Sequence, residues 1–282
     1  MRRTIMLFAA AFLIAASPAG ASPQADSPVP RPDAGLTKET KALLLNATAV
    51  VAVMGWGIAV WDYGQRSPRF RDEGWFERTS NEGGADKLGH LYSGYALSHL
   101  FESLYRRWGY DREQAIRLGV LSSAGLTMLV ELGDSFSEFG FSCQDALFSL
   151  LGAAVGYGMV RFPEVAKRVD FRVEYDPFRS TTRKTDVTTD YDRHKYLLAF
   201  KLDGFDTFRD TPLKYLELHL GYYARGYDQY DGLPWQVDER SRTVYVGVGL
   251  NVGRLLKPLW DTRLFHYIQM PYTYVPYNHR LD

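Results

Sequence analysis

The feature that most constrains this chain is an uncharged stretch from Ala42 to Trp61, whose most polar member is Asn46. Thr37 is placed to cap a helix that starts at Lys38 and includes this stretch. A helix of roughly twenty residues is about 30 Å long, which is enough to cross a bilayer. Burial in the core of a soluble protein is the alternative. Either way, the chain must give this helix an apolar environment.

The N-terminus is typical of an exported protein. Two arginines follow Met1, an apolar run extends from Ile5 to Ala16, and Ala19-Gly20-Ala21 is a small-residue cleavage site. We therefore predict a signal peptide over residues 1–21, with an uncleaved membrane anchor as the alternative. The proline-containing segment 22–36 is predicted to be a flexible leader of the mature protein.

Charge and cysteine content exclude several classes of protein. Lys plus Arg and Asp plus Glu each number 33, so the formal net charge is zero and we predict no nucleic-acid partner. The single cysteine, Cys143, rules out an internal disulfide framework. We predict that it is a small buried hydrophobic residue. Because the cleavage site contains no cysteine, the chain cannot be acylated there.

Helical signals continue through the first half of the chain. Three further helices are predicted, at about 86–108, 112–132 and 143–160. Asp111 and Ser142 begin sequences with the spacing of a capping box, and Gly152 and Gly156 offer a surface for close helix packing. We predict a helical domain over residues 37–165.

The second half of the chain has the period of β-strands. Leu216, Leu218 and Leu220 alternate with polar residues, and similar alternation predicts strands near 195–202, 215–223, 242–252 and 265–275. The charged, Thr-rich segment 166–193 is predicted to be a linker, followed by a β-rich domain over 194–282. So few strands cannot close an outer-membrane barrel. The predicted fold class is α+β: a four-helix, membrane-like bundle followed by a small antiparallel β domain.

Charged residues fall where three predicted helices begin or end. If these helices pack antiparallel, their charged termini meet at one end of the bundle. The residues that we predict to form a site there are Asp86, Lys87, His90, Glu131 and Asp145, with Asp134 and Ser142 as possible supporting residues.

Three roles are open for this predicted site. His90 with Asp86 and Glu131 could bind a divalent metal ion. His90 could act as a general base while Lys87 stabilises an anionic intermediate. The residues could also form a structural ion network that links helix ends, which dipole and capping effects would favour. The sequence identifies no cofactor, and it has no phosphate-binding loop, nucleophile elbow, CxxC pair or HExxH motif.

The charged residues and their neighbours also resemble a known family. The pattern consists of Ala85-Asp86-Lys87-Leu88-Gly89-His90, Glu131, Asp134, Gly140-Phe141-Ser142, Asp145 and Gly152-Ala153. Over roughly residues 40–160 it resembles the YfiM-like family of bacterial envelope proteins, and more distantly VanZ-like membrane proteins. Ser149 stands where that pattern has an asparagine, and the acylated cysteine of lipoprotein members has no counterpart. The resemblance implies a location in the cell envelope and no known reaction.

The function that we expect is that of an exported cell-envelope protein with a membrane-associated helical domain and no assigned molecular role. We expect it in the periplasm or at a membrane, the outer membrane being favoured, with membrane lipid or another envelope protein as its partner. One alternative is a membrane-associated hydrolase or transferase acting on a lipid, phosphate or cell-wall substrate. Another is an assembly or scaffolding factor for the outer membrane, whose β domain adds strands to a partner.

Overall fold

The computed structural model of this chain describes residues 35–179, 186–227 and 240–282. The predicted signal peptide and nearly all of the predicted leader lie outside these residues. Four long helices come first: α1 (Lys38–Val60), α2 (Ala85–Arg107), α3 (Arg112–Asp134) and α4 (Cys143–Arg161). The described residues also contain three short helices: α5 (Pro163–Ala166) precedes the first strand, whereas α6 (Asp206–Arg209) and α7 (Val252–Leu256) lie between strands of the second half. The helical first half and the α+β class agree with the sequence prediction.

Helices α1, α3 and α4 begin directly after the capping residues that the sequence predicts. Thr37 Oγ1 accepts a hydrogen bond from the Thr40 amide at 3.2 Å, and Asp111 Oδ1 accepts one from the Gln114 amide at 2.8 Å. Ser142 caps α4 in the same way. These side chains satisfy amides that the first helical turn leaves without a partner.

Helix α2 lies between α3 and α4, and small residues bring it close to α4. A Cβ atom on Gly152 would overlap the carbonyl group of Leu91, and one on Gly94 would overlap the carbonyl oxygen of Ser149. The backbones of α2 and α4 are therefore in direct contact, as the spacing of Gly152 and Gly156 predicted. This contact fixes the position of the first turn of α4 relative to α2.

Helix α1 covers the bundle on only one side. Val53 packs against Phe101 and Leu126, whereas Leu43 and Val51 are 70% and 71% exposed. Helices α1, α3 and α4 are each long and apolar enough to cross a membrane.

The second half forms one mixed sheet of six strands in the order β5-β1-β2-β3-β4-β6. The strands are β1 (Val169–Tyr175), β2 (His194–Lys201), β3 (Leu216–Arg225), β4 (Ser241–Leu250), β5 (Ile268–Gln269) and β6 (Tyr274–Arg280). Strands β1 and β5 are parallel and the other neighbours antiparallel, so the prediction of a purely antiparallel domain is wrong.

Two boundaries in this half also differ from the prediction. The segment predicted as a linker, 166–193, contains β1, because its charged residues alternate with Phe171 and Val173 and lie on a buried face of the sheet. The strand predicted at 265–275 is interrupted at Met270–Thr273, where Pro271 precedes Tyr272, whose φ is +63°. Proline cannot donate a hydrogen bond within a sheet, and a positive φ lies outside the β region, so these two residues interrupt the strand.

The sheet is strongly curled. Gln269 ends one edge strand and Tyr274 begins the other, so five Cα steps, at most about 19 Å, connect the two edges. The outer strands of a flat six-stranded sheet would lie about 24 Å apart. Consistent with the curl, Lys195 Nζ on β2 lies 2.8 Å from the Tyr274 hydroxyl on β6.

Helix α2 and the sheet share an aromatic core. The ring centroid of Phe171 lies 5.7 Å from those of Tyr92 and Tyr95, and Tyr196 lies 6.3 Å from Tyr92. At the start of α2, the Tyr222 hydroxyl donates a hydrogen bond to the carbonyl of Gly83. The sheet thus supports α2 along the part of the helix that carries the predicted site.

Candidate functional site

The start of α2, the end of α3 and the start of α4 meet at one end of the helical bundle. Gly83 and Gly84 have φ values of +60° and +82°, which residues other than glycine rarely adopt. They turn the chain directly into α2, so that Asp86 and Lys87 in its first turn are buried. Charged side chains at this depth require partners.

Lys87 is the centre of the buried ion cluster. Its Nζ lies 2.7 Å from Asp86 Oδ2, 2.8 Å from Asp145 Oδ1 and 3.2 Å from Glu73 Oε2. Burial acts to lower the pKa of Lys87, but the neighbouring carboxyl groups, Asp86 and Asp145 foremost, outweigh it and raise the pKa above its usual value. The ammonium group is therefore charged and fully engaged by the protein.

Glu73 also belongs to this cluster, although no sequence motif predicts it. It lies in the long loop between α1 and α2, and it contacts both Lys87 and Asp145. Burial, together with a hydrogen bond and charge repulsion from Asp145, raises the pKa of Glu73 to about 8. Near neutral pH, Glu73 is therefore largely protonated.

His90 and Glu73 belong to two different groups of side chains that share Asp145. Its Nδ1 is 3.2 Å from Glu131 Oε1 and 3.2 Å from Ser149 Oγ. Since both contacts involve the same ring nitrogen, these groups are not arranged as a serine–histidine–acid relay, which needs both nitrogens. The His90 side chain is 21% exposed whereas that of Glu131 is 1% exposed, so the imidazole is the part of this group that reaches the surface.

Two overlapping sets of side chains have the geometry to hold a metal ion. The ligand atoms of His90, Glu131 and Asp145 lie within 4.8 Å of one another, and so do those of Glu73, Asp86 and Asp145. The predicted set of His90, Asp86 and Glu131 therefore differs from the arrangement observed. Asp86 contacts Lys87 instead, through both its carboxylate oxygens.

The two possible supporting residues have different surroundings. Asp134 forms a hydrogen bond with Tyr63, away from Lys87. Ser142 Oγ accepts from the Asp145 amide at 3.2 Å, and the backbone of Ser142 forms a hydrogen bond with Glu131. Ser142 thereby links the end of α3 to the start of α4.

The surroundings of Ser149 and Cys143 differ from what the sequence predicts. Ser149 is completely buried beside His90, although the sequence drew attention to it only as a departure from a family pattern. Cys143 is exposed, so the prediction that it is buried is wrong. Residues 143 and 145 are about 200° apart around a helix, so turning Asp145 toward α2 turns Cys143 toward the surface.

The comparisons with known proteins support an envelope location. Residues 72–161 match a family described as predicted periplasmic lipoprotein (DUF2279). No curated protein and no solved structure matches the chain. The matched segment contains the whole cluster from Glu73 to Ser149, and the similarity fits an exported envelope protein of a family with no assigned role. It does not confirm the resemblance to the YfiM-like or VanZ-like groups, and it gives no preference for the outer membrane.

Proposed function

We propose that this chain is a membrane-associated envelope protein whose helical domain binds a divalent cation between His90, Glu131 and Asp145. The observation that carries the proposal is the convergence of one imidazole nitrogen and two carboxylate oxygens within 4.8 Å of one another. Three separate helices supply these ligands, so the site depends on the tertiary fold.

The charge balance of the cluster supports a cation. Four carboxyl groups, those of Glu73, Asp86, Glu131 and Asp145, surround one ammonium group and one imidazole. Protonation of Glu73 removes one negative charge. Buried negative charge beyond this requires further protons or a bound cation.

Glu131 is the residue whose surroundings most favour a cation. It is 1% exposed, and its Oε1 accepts no hydrogen bond from the described residues, although His90 Nδ1 is 3.2 Å away. A buried carboxylate oxygen without a hydrogen bond is costly. A cation between Glu131 and Asp145 would remove this cost.

The ligand types indicate which cations would suit the site. One nitrogen and two carboxylate oxygens, without thiolate, favour hard or borderline divalent ions such as Mn²⁺ or Zn²⁺ over soft ions. Lys87 contacts Asp145 but is held by Asp86 and Glu73 as well, so it would orient Asp145 without occupying the cation position. The partial exposure of His90 provides an approach from solvent.

Binding of Mn²⁺ to the detergent-solubilised protein would test this proposal. Electron paramagnetic resonance titration with Mn²⁺ should give saturable binding near one ion per chain, competed by Zn²⁺. Glu131→Gln should weaken binding at least about tenfold. Glu102→Gln is the matched control, because Glu102 is also a partly buried carboxyl group of the bundle but contacts none of the proposed ligands. Absence of binding to folded wild-type protein, or equal binding by both variants, would contradict the proposal.

A second candidate function is a membrane-associated hydrolase or transferase for a lipid, phosphate or cell-wall substrate. The partial exposure of His90 favours it, because a cation bound there could polarise a substrate oxygen or activate water. His90→Ala and Glu102→Gln would be compared for rescue of a deletion strain. A folded, membrane-bound His90→Ala protein that fails to rescue supports this candidate, and full rescue contradicts it.

A further inference from the structure

The sheet buries charged side chains and exposes aliphatic ones, which is the reverse of the pattern in a water-soluble β domain. Along β3, Glu217 and His219 are 0% and 2% exposed, whereas Leu218 and Leu220 are 47% and 43% exposed. The charged residues are inside the curl and the aliphatic residues outside. Strands in contact with lipid alternate in this way, with apolar side chains facing the membrane and polar side chains facing the interior.

The strand register makes the exposed aliphatic residues one continuous surface. Leu218 pairs with Val248, which pairs with Val275, while Leu220 pairs with Leu198 and Val246. We call this surface the outer face; it comprises Leu198, Leu218, Leu220, Val246, Val248 and Val275. Cross-strand partners share a side of the sheet, so these residues adjoin one another on four strands.

The inside of the curl contains charged side chains that pair with one another. Arg172 Nη1 lies 2.8 Å from Glu217 Oε1, and Lys201 Nζ lies 2.6 Å from Asp170 Oδ1. His219 Nε2 lies 2.8 Å from Glu217 Oε1. Because each of these charges has a partner of opposite sign, turning them inward does not leave an unpaired charge in an apolar environment.

The outer face lies on the same side of the sheet as the helical bundle. Phe171, which packs against Tyr92 and Tyr95 of α2, is the direct partner of Leu198. Three helices of that bundle are long and apolar enough to cross a membrane, and α1 exposes most of its surface. A bilayer that covered these helices would adjoin the outer face on the same side.

We infer that the outer face of the sheet lies against the lipid bilayer, so that the β-rich half is seated on the membrane beside the helices. This inference does not depend on cation binding at His90. The six strands among the described residues are too few to enclose a water-filled channel, and the filled interior agrees with a sheet that contacts lipid on its outside only.

Site-directed fluorescence on the full chain in vesicles would test the inference. In a Cys143→Ser background, Val248→Cys and Val275→Cys would carry a bimane label on the outer face, and Asp206→Cys would carry it at an exposed control position. The proteins would be reconstituted in phosphatidylethanolamine–phosphatidylglycerol vesicles, and far-UV circular dichroism would confirm folding. Two positions are used so that one poorly folded variant does not decide the result.

The expected result is quenching of both outer-face labels by doxyl-labelled phosphatidylcholine and protection of both from iodide, with the opposite pattern at position 206. Iodide quenching of the outer-face labels without doxyl quenching would overturn the inference. Protection from both quenchers would also overturn it, since a second copy of the chain or another envelope protein would then cover the surface. Mn²⁺ binding measured on the same preparations separates this outcome from failure of the cation site.

Discussion

His90 Nδ1 lies 3.2 Å from Glu131 Oε1, and this contact joins the first turns of α2 to the last turn of α3. Glu131 is also bonded by the backbone of Ser142, which caps α4. One carboxyl group therefore receives contacts from the two neighbouring helices. A change at Glu131 acts on all three helix ends at once, so its effects on binding must be compared with its effects on folding.

Removing the buried ammonium group should destabilise the helical bundle. Lys87→Met leaves Asp86 and Asp145 without their cationic partner, and loss of one member of a buried ion pair costs about 3–5 kcal/mol. Thermal unfolding in detergent would measure this. Lys167→Met is the control, since Lys167 makes only an exposed contact at 3.8 Å, and it should change little. Equal unfolding temperatures for the two variants would contradict the central position given to Lys87.

Substitutions at Asp86 and Glu131 should separate the observed cation set from the predicted one. Glu131→Gln removes a ligand and should weaken Mn²⁺ binding at least about tenfold. Asp86→Asn should weaken it much less, because Asp86 contacts Lys87 and is not grouped with His90 and Glu131. The two dissociation constants would be measured on folded protein. A larger loss for Asp86→Asn would favour the set predicted from the sequence.

His99 should make the protein less stable in mild acid. Its Nε2 lies 3.1 Å from the Gly156 carbonyl oxygen, and burial lowers its pKa from 6.5 to about 4. The folded protein thus resists protonation more than the unfolded chain does, so stability is full above pH 6.5 and falls as the pH decreases to 4. The difference between 6.5 and 4 corresponds to at most about 3–4 kcal/mol.

Unfolding temperatures of wild type and His99→Gln between pH 7 and 4 would test this. The variant should lose less stability over the interval, while His279→Gln on the exposed strand β6 should follow the wild type. Parallel curves for wild type and His99→Gln would show that the pH dependence arises elsewhere.

Close packing of α2 against α4 can be tested with two glycines of the same helix. Gly152→Ala places a methyl group against the backbone of Leu91 and should destabilise the protein by at least about 1–3 kcal/mol. Around Gly158 there is nothing within 4 Å, so Gly158→Ala should be neutral or stabilising by up to about 1 kcal/mol. Unfolding temperatures measure both. A stable Gly152→Ala protein would show that the helices can separate at no cost.

The exposed side of α1 should determine how firmly the protein is held in membranes. Leu43→Asp combined with Val51→Asp places charge on a surface that is about 70% exposed at both positions. If that surface contacts lipid, the double variant should be released by carbonate more readily than wild type, because a charge costs about 2.5–3.5 kcal/mol at the centre of a membrane helix. Glu39→Gln in the first turn is the control. Unchanged retention would indicate that α1 is not in contact with lipid.

The helical half could be predicted because its signals are local. Thr37, Asp111 and Ser142 cap helices through hydrogen bonds to residues three positions ahead, and such pairs are visible in the sequence. The meeting of charged residues at one end of the bundle also followed, since short connections make neighbouring helices antiparallel. Glu73 could not be found in this way, because its place beside Lys87 depends on the path of a loop without periodicity.

The sheet was harder to predict because its polarity is reversed. In strand β1, Phe171 and Val173 alternate with charged residues. Because charge is usually a sign of solvent exposure, the sequence alone favours a linker here. Here Arg172 and Glu174 are among the most buried residues of the chain. Only pairing with distant strands, as between Arg172 and Glu217, reveals that they face inward.

The aromatic core between α2 and β1 has a consequence for which fragments of this chain can be expressed. The segment shared with other proteins ends at residue 161, yet Tyr92 and Tyr95 within it pack on Phe171, which lies beyond that boundary. A fragment cut at the edge of the shared segment would expose these rings to water. The helices of the matched segment therefore do not form a complete folding unit in this chain, because they need the sheet to cover their aromatic side chains.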